Sequence, residues 1–129
     1  MIDISRVIPP EARTAYIVYL KNISEWWFGI TNLKSKLGFG LVWDKNIFKH
    51  IWMWNACRGS QGYPWYGRTY NIAIEPWSSL PDNFGKVLKN GDFVLLEPGE
   101  IISTKYVAIV YKSDKRIEGF NRHCSPIIR

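Results

Sequence analysis

The chain has 129 residues, 47% of them hydrophobic and 16% aromatic, which suits one domain with a real core and is too short for two. That composition excludes intrinsic disorder, and no apolar run approaches the roughly 18 residues of a membrane-spanning helix. The formal charge is +6, yet residues 112–129 hold 5 basic groups against 2 acidic ones, so about half of the excess sits in a solvated tail and the rest is interspersed with acids, which argues against nucleic acid as the partner.

The opening MIDISRVIPPEAR lacks the apolar stretch of a secretory signal, which gives the expectation of a cytoplasmic protein. From there on, period-2 alternation and β-branched or aromatic residues dominate, the signature of strands. Thr14–Leu20 (TAYIVYL) reads as the first strand, with Tyr16, Val18 and Leu20 on one face. Trp26–Thr31 and Leu37–Trp43 follow as strands, then a single helical turn at Asn46–His50 that Asp44 would cap. Ile51–Cys57 (IWMWNAC) puts Trp52 and Trp54 on one side, Met53 and Asn55 on the other. Arg58–Thr69 (RGSQGYPWYGRT) has the Gly, Pro and aromatic content of a shaped functional loop. Tyr70–Glu75 reads as a strand that Pro76 stops, because proline cannot donate to a ladder. Asn83–Lys89 is a second short helical piece, Phe93–Leu96 a short strand, and Ser103–Lys112 the longest strand expected. About seven strands with under about 15% helix make an all-β chain, an antiparallel β-sandwich or part of one. The expected organisation is a single domain over residues 1–129, ordered from about 14 to 112, with a basic tail over 113–129.

Two cysteines, Cys57 and Cys124, and two histidines, His50 and His123, have no metal-ligand spacing, so neither a metal nor another cofactor is expected. Glu75 ends an apolar strand beside Ile74, Pro76 and Trp77. Partial desolvation there would raise its pKa and suit a general base. A strand-end carboxylate paired with Arg68 is the other reading, and local spacing does not choose between them. Trp52, Trp54, Trp65, Tyr66 and Trp77 could supply the flat surfaces on which sugar C–H groups stack, with ordinary core packing as the alternative for Trp52 and Trp54. Arg58 and Arg68 flank the loop as possible phosphate ligands or as plain exposed charges. Glu97, Glu100 and Asp92 read as structural or solvated.

The stretch GYPWYGRTYNIAIEPWSS, with Leu37–Asp44 and IWMWN before it and LEPGEIISTKYVAIVY after it, resembles the aldose 1-epimerase (galactose mutarotase-like) superfamily. The resemblance runs from about Tyr16 to Tyr111 and corresponds to the C-terminal part of that family's antiparallel super-sandwich. It implies that Glu75 holds the general-base position, taking the proton of the anomeric hydroxyl, in a cleft formed with Trp52, Trp54, Trp65, Tyr66, Arg68 and Trp77. It also implies that the family's catalytic histidines lie in the part this chain does not match; neither His50 nor His123 stands at such a position. Three functions stay open. The first is a carbohydrate-binding protein whose partner is a sugar or sugar phosphate. The second is an isomerase of the aldose 1-epimerase type, its site completed by another subunit. The third is a structural or nucleic-acid-associated β domain. Strands rich in Ile, Val, Trp and Tyr without a covering layer lead to the expectation of a homodimer or higher oligomer.

Overall fold

A computed structural model describes residues 3–91 and 93–128; the reading of Asp92 as solvated falls outside the described residues. The protein is 41% strand and 8% helix, with antiparallel sheets, so the all-β expectation and its ceiling on helix hold. The strands are β1 (Thr14–Leu20), β2 (Trp27–Asn32), β3 (Leu37–Trp43), β4 (His50–Cys57), β5 (Tyr70–Trp77), β6 (Tyr106–Lys112), β7 (Ile117–Phe120) and β8 (Pro126–Ile128). They form two three-stranded sheets, ordered β1-β4-β5 and β2-β3-β6, and the hairpin β7-β8.

In the first sheet β4 is the central strand, and alternation sorts its side chains. Ile51, Met53, Asn55 and Cys57 are buried, whereas Trp52 and Trp54 are half-exposed on the opposite face. Tyr16, Val18 and Leu20 pair with Asn55, Met53 and Ile51 and share their face. Pro76 does not stop β5. It sits inside the strand opposite Ile51, and the ladder continues to Trp77 opposite His50. Proline is tolerated there because β5 is an edge strand, where one N–H needs no ladder partner.

In the second sheet, Trp27, Gly29 and Thr31 of β2 lie beside Val42, Gly40 and Gly38 of β3. Side chains at Gly29, Gly38 or Gly40 would collide with Ile117, Tyr111 and Phe120, respectively, so the bare backbone forms a trough that these three residues fill. Tyr111 is buried and shares a hydrogen bond of 2.8 Å with Thr31, while Phe120 sets its edge against Trp27 and Tyr111. The residues expected to form a basic tail outside the ordered core thus fold back. Ser113 and Ile117 are buried, and β7-β8 covers the trough. The charged residues of this segment point outward between apolar ones, which is how a solvated composition conceals a hairpin.

Smaller differences have local causes. In place of the helical turn expected at Asn46–His50, residues 45–47 form a turn and His50 already opens β4, although Asp44 does accept from the Asn46 N–H at 2.8 Å, as a cap should. The expected second helical piece is present as α1 (Phe84–Asn90), capped by the Asn83 side chain. Phe93–Leu96 is not a strand, and β6 begins only at Tyr106, leaving β4 and β5 as the longest strands described. Glu100 closes the Pro98–Gly99 turn, its carboxylate accepting from the Glu97 N–H at 2.9 Å. Among the described residues no helix is long and apolar enough to cross a membrane.

The accessible surface is 9580 Å², about a third above the roughly 7,100 Å² exposed by a compact monomer of 15.1 kDa. The excess is visible in Leu37, Phe39 and Val110 on the second sheet and in Ile17 and Tyr19 on the first, all of them exposed.

Candidate functional site

Residues directly opposite each other in antiparallel strands share a face, and this rule assembles the site. Trp52 lies opposite Tyr19 of β1 and Glu75 of β5; Trp54 lies opposite Ile17 and Ala73. Trp77, two residues beyond Glu75, comes back to the same face and stacks on Trp52 with ring centres 4.2 Å apart and planes 16° from parallel. Tyr19 presents its edge to the other side of Trp52 at 5.3 Å. From the long loop, Trp65 reaches over the strand and meets Trp54 at 5.4 Å. The outcome is a row of four tryptophans and one tyrosine across an outward sheet face, with Ile17 at 48%, Tyr19 at 42%, Trp77 at 39% and Trp65 at 38% exposure.

Glu75 stands within this row. Its Oε2 accepts from the Trp77 indole N–H at 2.9 Å, and Oε1 has no partner among the described residues. The Trp52 indole N–H donates to the Ser79 carbonyl at 3.1 Å, which fixes that ring's tilt. The arrangement offers a half-buried acceptor held beside flat aromatic faces. Compared with known proteins, the chain matches no family model, no curated protein and no solved structure. The site is therefore argued from its own geometry.

Of the residues singled out from sequence, Glu75, Trp52, Trp54, Trp65 and Trp77 come together. Two do not join them. Tyr66 turns to the opposite side of its loop, its ring 6.1 Å from Tyr63 and lining a separate cleft with Arg58. The backbone explains this: Trp65 and Tyr66 are consecutive, and Tyr66 takes a left-handed φ of 46° that throws its side chain away from its neighbour's. Arg68 is exposed and makes no ion pair with Glu75 among the described residues; the partner of that carboxylate is Trp77.

Sequence reasoning passed over three neighbours on this face. Tyr19 and Ile17 are ordinary strand residues whose role follows only from the β1-β4 register. His50 shares the face, opposite Trp77, but is only 8% exposed. His123 lies far along the chain in the β7-β8 turn, exposed beside Arg122. Among the described residues there is no group of three His, Cys, Asp or Glu side chains that could hold a metal ion.

Proposed function

We propose that the outward face of β1-β4-β5 binds a carbohydrate, with Trp77 and Trp52 as the stacking platform and Glu75 as the acceptor for a sugar hydroxyl. One observation supports this most: a carboxylate with one oxygen tied to an indole and the other open, set in a row of exposed aromatic rings. Sugars present C–H patches that pack on such rings and hydroxyls that seek a fixed acceptor. Trp52 and Trp54 stand two residues apart on one strand, about 7 Å, so the row gives two adjoining aromatic surfaces. In this reading the two sheets belong to a mutarotase-like sandwich, as the order of the Trp-rich strand, the Gly/Trp/Tyr loop and the Glu-Pro strand suggests.

Titration with neutral mono- and disaccharides is expected to change tryptophan fluorescence, and Trp77→Ala is expected to weaken that binding about tenfold, the loss of one good stacking contact. A panel of sugars that leaves the emission of the folded protein unchanged overturns the proposal. Glu75→Gln keeps the shape of the side chain but cannot take a proton. It is expected to leave sugar binding largely intact and to abolish any mutarotation followed by polarimetry.

The second reading, an epimerase completed by another subunit, draws on the large exposed surface. The excess of about 2,500 Å² over a compact monomer is larger than the roughly 800 Å² that each partner buries in a standard interface, so one chain has ample surface for a dimer contact. A homodimer would cover the apolar sheet faces and open edges together. His50, being buried, is poorly placed to be lent to a partner, which leaves His123 as the exposed imidazole. Light scattering at micromolar concentration is expected to give twice 15.1 kDa or more. A stable monomer there sinks both the dimer and the subunit-completed enzyme.

A further inference from the structure

The loop that carries Trp65 to the aromatic face shows its other side to a cleft of about 390 Å³, lined by Glu11, Arg13, Arg58, Gln61, Tyr66 and Gly67. We propose that this cleft binds an oxyanion, the phosphate or carboxylate group of an acidic ligand, between the guanidinium groups of Arg13 and Arg58. The inference stands apart from the carbohydrate reading and would survive its failure.

Charge comes first. Among the described residues neither guanidinium takes part in an ion pair or a side-chain hydrogen bond, although both arginines line one concavity. Glu11 lines the same cleft but is not within ion-pair distance of either arginine, so the lining carries a formal excess of +1. Guanidinium groups match the bidentate geometry of phosphate and carboxylate oxygens, and two of them lining one cleft would favour such a ligand. Tyr66 also lines the cleft, and its hydroxyl would add a neutral donor.

Backbone shape comes second. Arg13 (φ 48°), Arg58 (φ 57°), Tyr66 (φ 46°) and Gly67 (φ 67°) all take left-handed conformations. For the three with side chains this costs conformational energy, so the surrounding structure must hold them there. That structure is visible. The Arg58 N–H donates to the Thr69 carbonyl at 2.8 Å, the Gly67 N–H to the Ser60 carbonyl at 2.7 Å, and the Gln61 side-chain amide to the Arg58 carbonyl at 2.8 Å. Gly59 packs its bare α-carbon against the Thr14 and Ala15 backbone, which sets Arg58 beside Arg13. Gln61 is thus a brace for the cleft rather than a ligand. Arg68, the partner that sequence suggested for Arg58, is absent from the lining, and Arg13 takes its place.

The test is a two-dimensional amide NMR titration of the full chain at fixed ionic strength, one arm with inorganic phosphate and one with acetate. Phosphate or acetate, or both, is expected to shift the Gly67 and Gln61 amides, and the arm that responds identifies the source of the oxyanion. Arg13→Gln and Arg58→Gln are each expected to weaken the response about tenfold, as for loss of one charge-assisted contact, while Arg68→Gln leaves it unchanged. Glu11→Gln, which keeps both arginines and removes the repelling carboxylate, is expected to tighten binding a few-fold, and this readout does not depend on the arginine variants folding. The proposal is overturned if neither anion shifts these amides, or if the shifts persist undiminished in a folded Arg13→Gln/Arg58→Gln double variant.

Discussion

Gly59→Ala is expected to lower the midpoint of thermal unfolding by about 10 °C and to remove anion binding along with it. A methyl group at this position would fall on the carbonyl carbon of Thr14 and the nitrogen of Ala15. Both are backbone atoms of β1, which is paired along its whole length with β4, so neither can rotate aside as a side-chain end would. Overpacking of this rigid kind costs about 3 kcal/mol or more. Relief requires the start of β1 to part from the end of β4, and that movement separates Arg13 from Arg58. Gly62→Ala, in the same loop with open space around it, is the control and is expected to be close to neutral. Thermal unfolding followed by circular dichroism, with the phosphate titration run alongside, checks both halves. A Gly59→Ala protein with unchanged melting refutes the close approach on which the cleft is built.

Trp52→Ala is expected to abolish detectable sugar binding and to cost about 2 kcal/mol of stability. Trp52 stacks on Trp77, receives the edge of Tyr19 and ties the end of β5 to the chain beyond it through Ser79. Without it Trp77 loses its stacking partner, and the Glu75 carboxylate loses the indole that Trp52 holds in place. Trp54→Ala should act more weakly on the Glu75 end, since Trp54 contacts Trp65 from the loop rather than Trp77. Urea unfolding gives the stability difference, and fluorescence of the remaining tryptophans gives the binding. Equal losses from Trp52→Ala and Trp54→Ala would contradict a platform centred on Trp52 and Trp77.

The aromatic face was legible from sequence because strand periodicity is a local rule. In IWMWN every second residue is a tryptophan, and the alternate positions are the ones that β4 buries. Pro76 was read as a stop because the donor it lacks matters in a central strand, and nothing local says that β5 lies at an edge. The hairpin β7-β8 was hidden for a related reason. Its strands are short and lie among charged residues, and they are held by a trough whose glycines lie far back in β2 and β3. The arginine cleft was only half visible. Arg58 stood out in its loop, whereas Arg13 reaches it through the pairing of Thr14 with Cys57, a contact that no spacing rule anticipates.

The trough also bears on how the chain withstands cutting. Between β3 and its neighbour β6 the polypeptide leaves the second sheet, builds β4, β5 and α1, and returns through exposed residues 95–105, which have no strand or helix. A protease should cleave first in that return segment. The released C-terminal piece would still carry β6, paired with β3, together with Tyr111, Ile117 and Phe120 seated over the glycines. A nicked protein is therefore expected to elute as one species under native conditions and as two under denaturing ones. The C-terminal peptide, made separately, should reassociate with the N-terminal fragment as a complementing strand-and-hairpin plug.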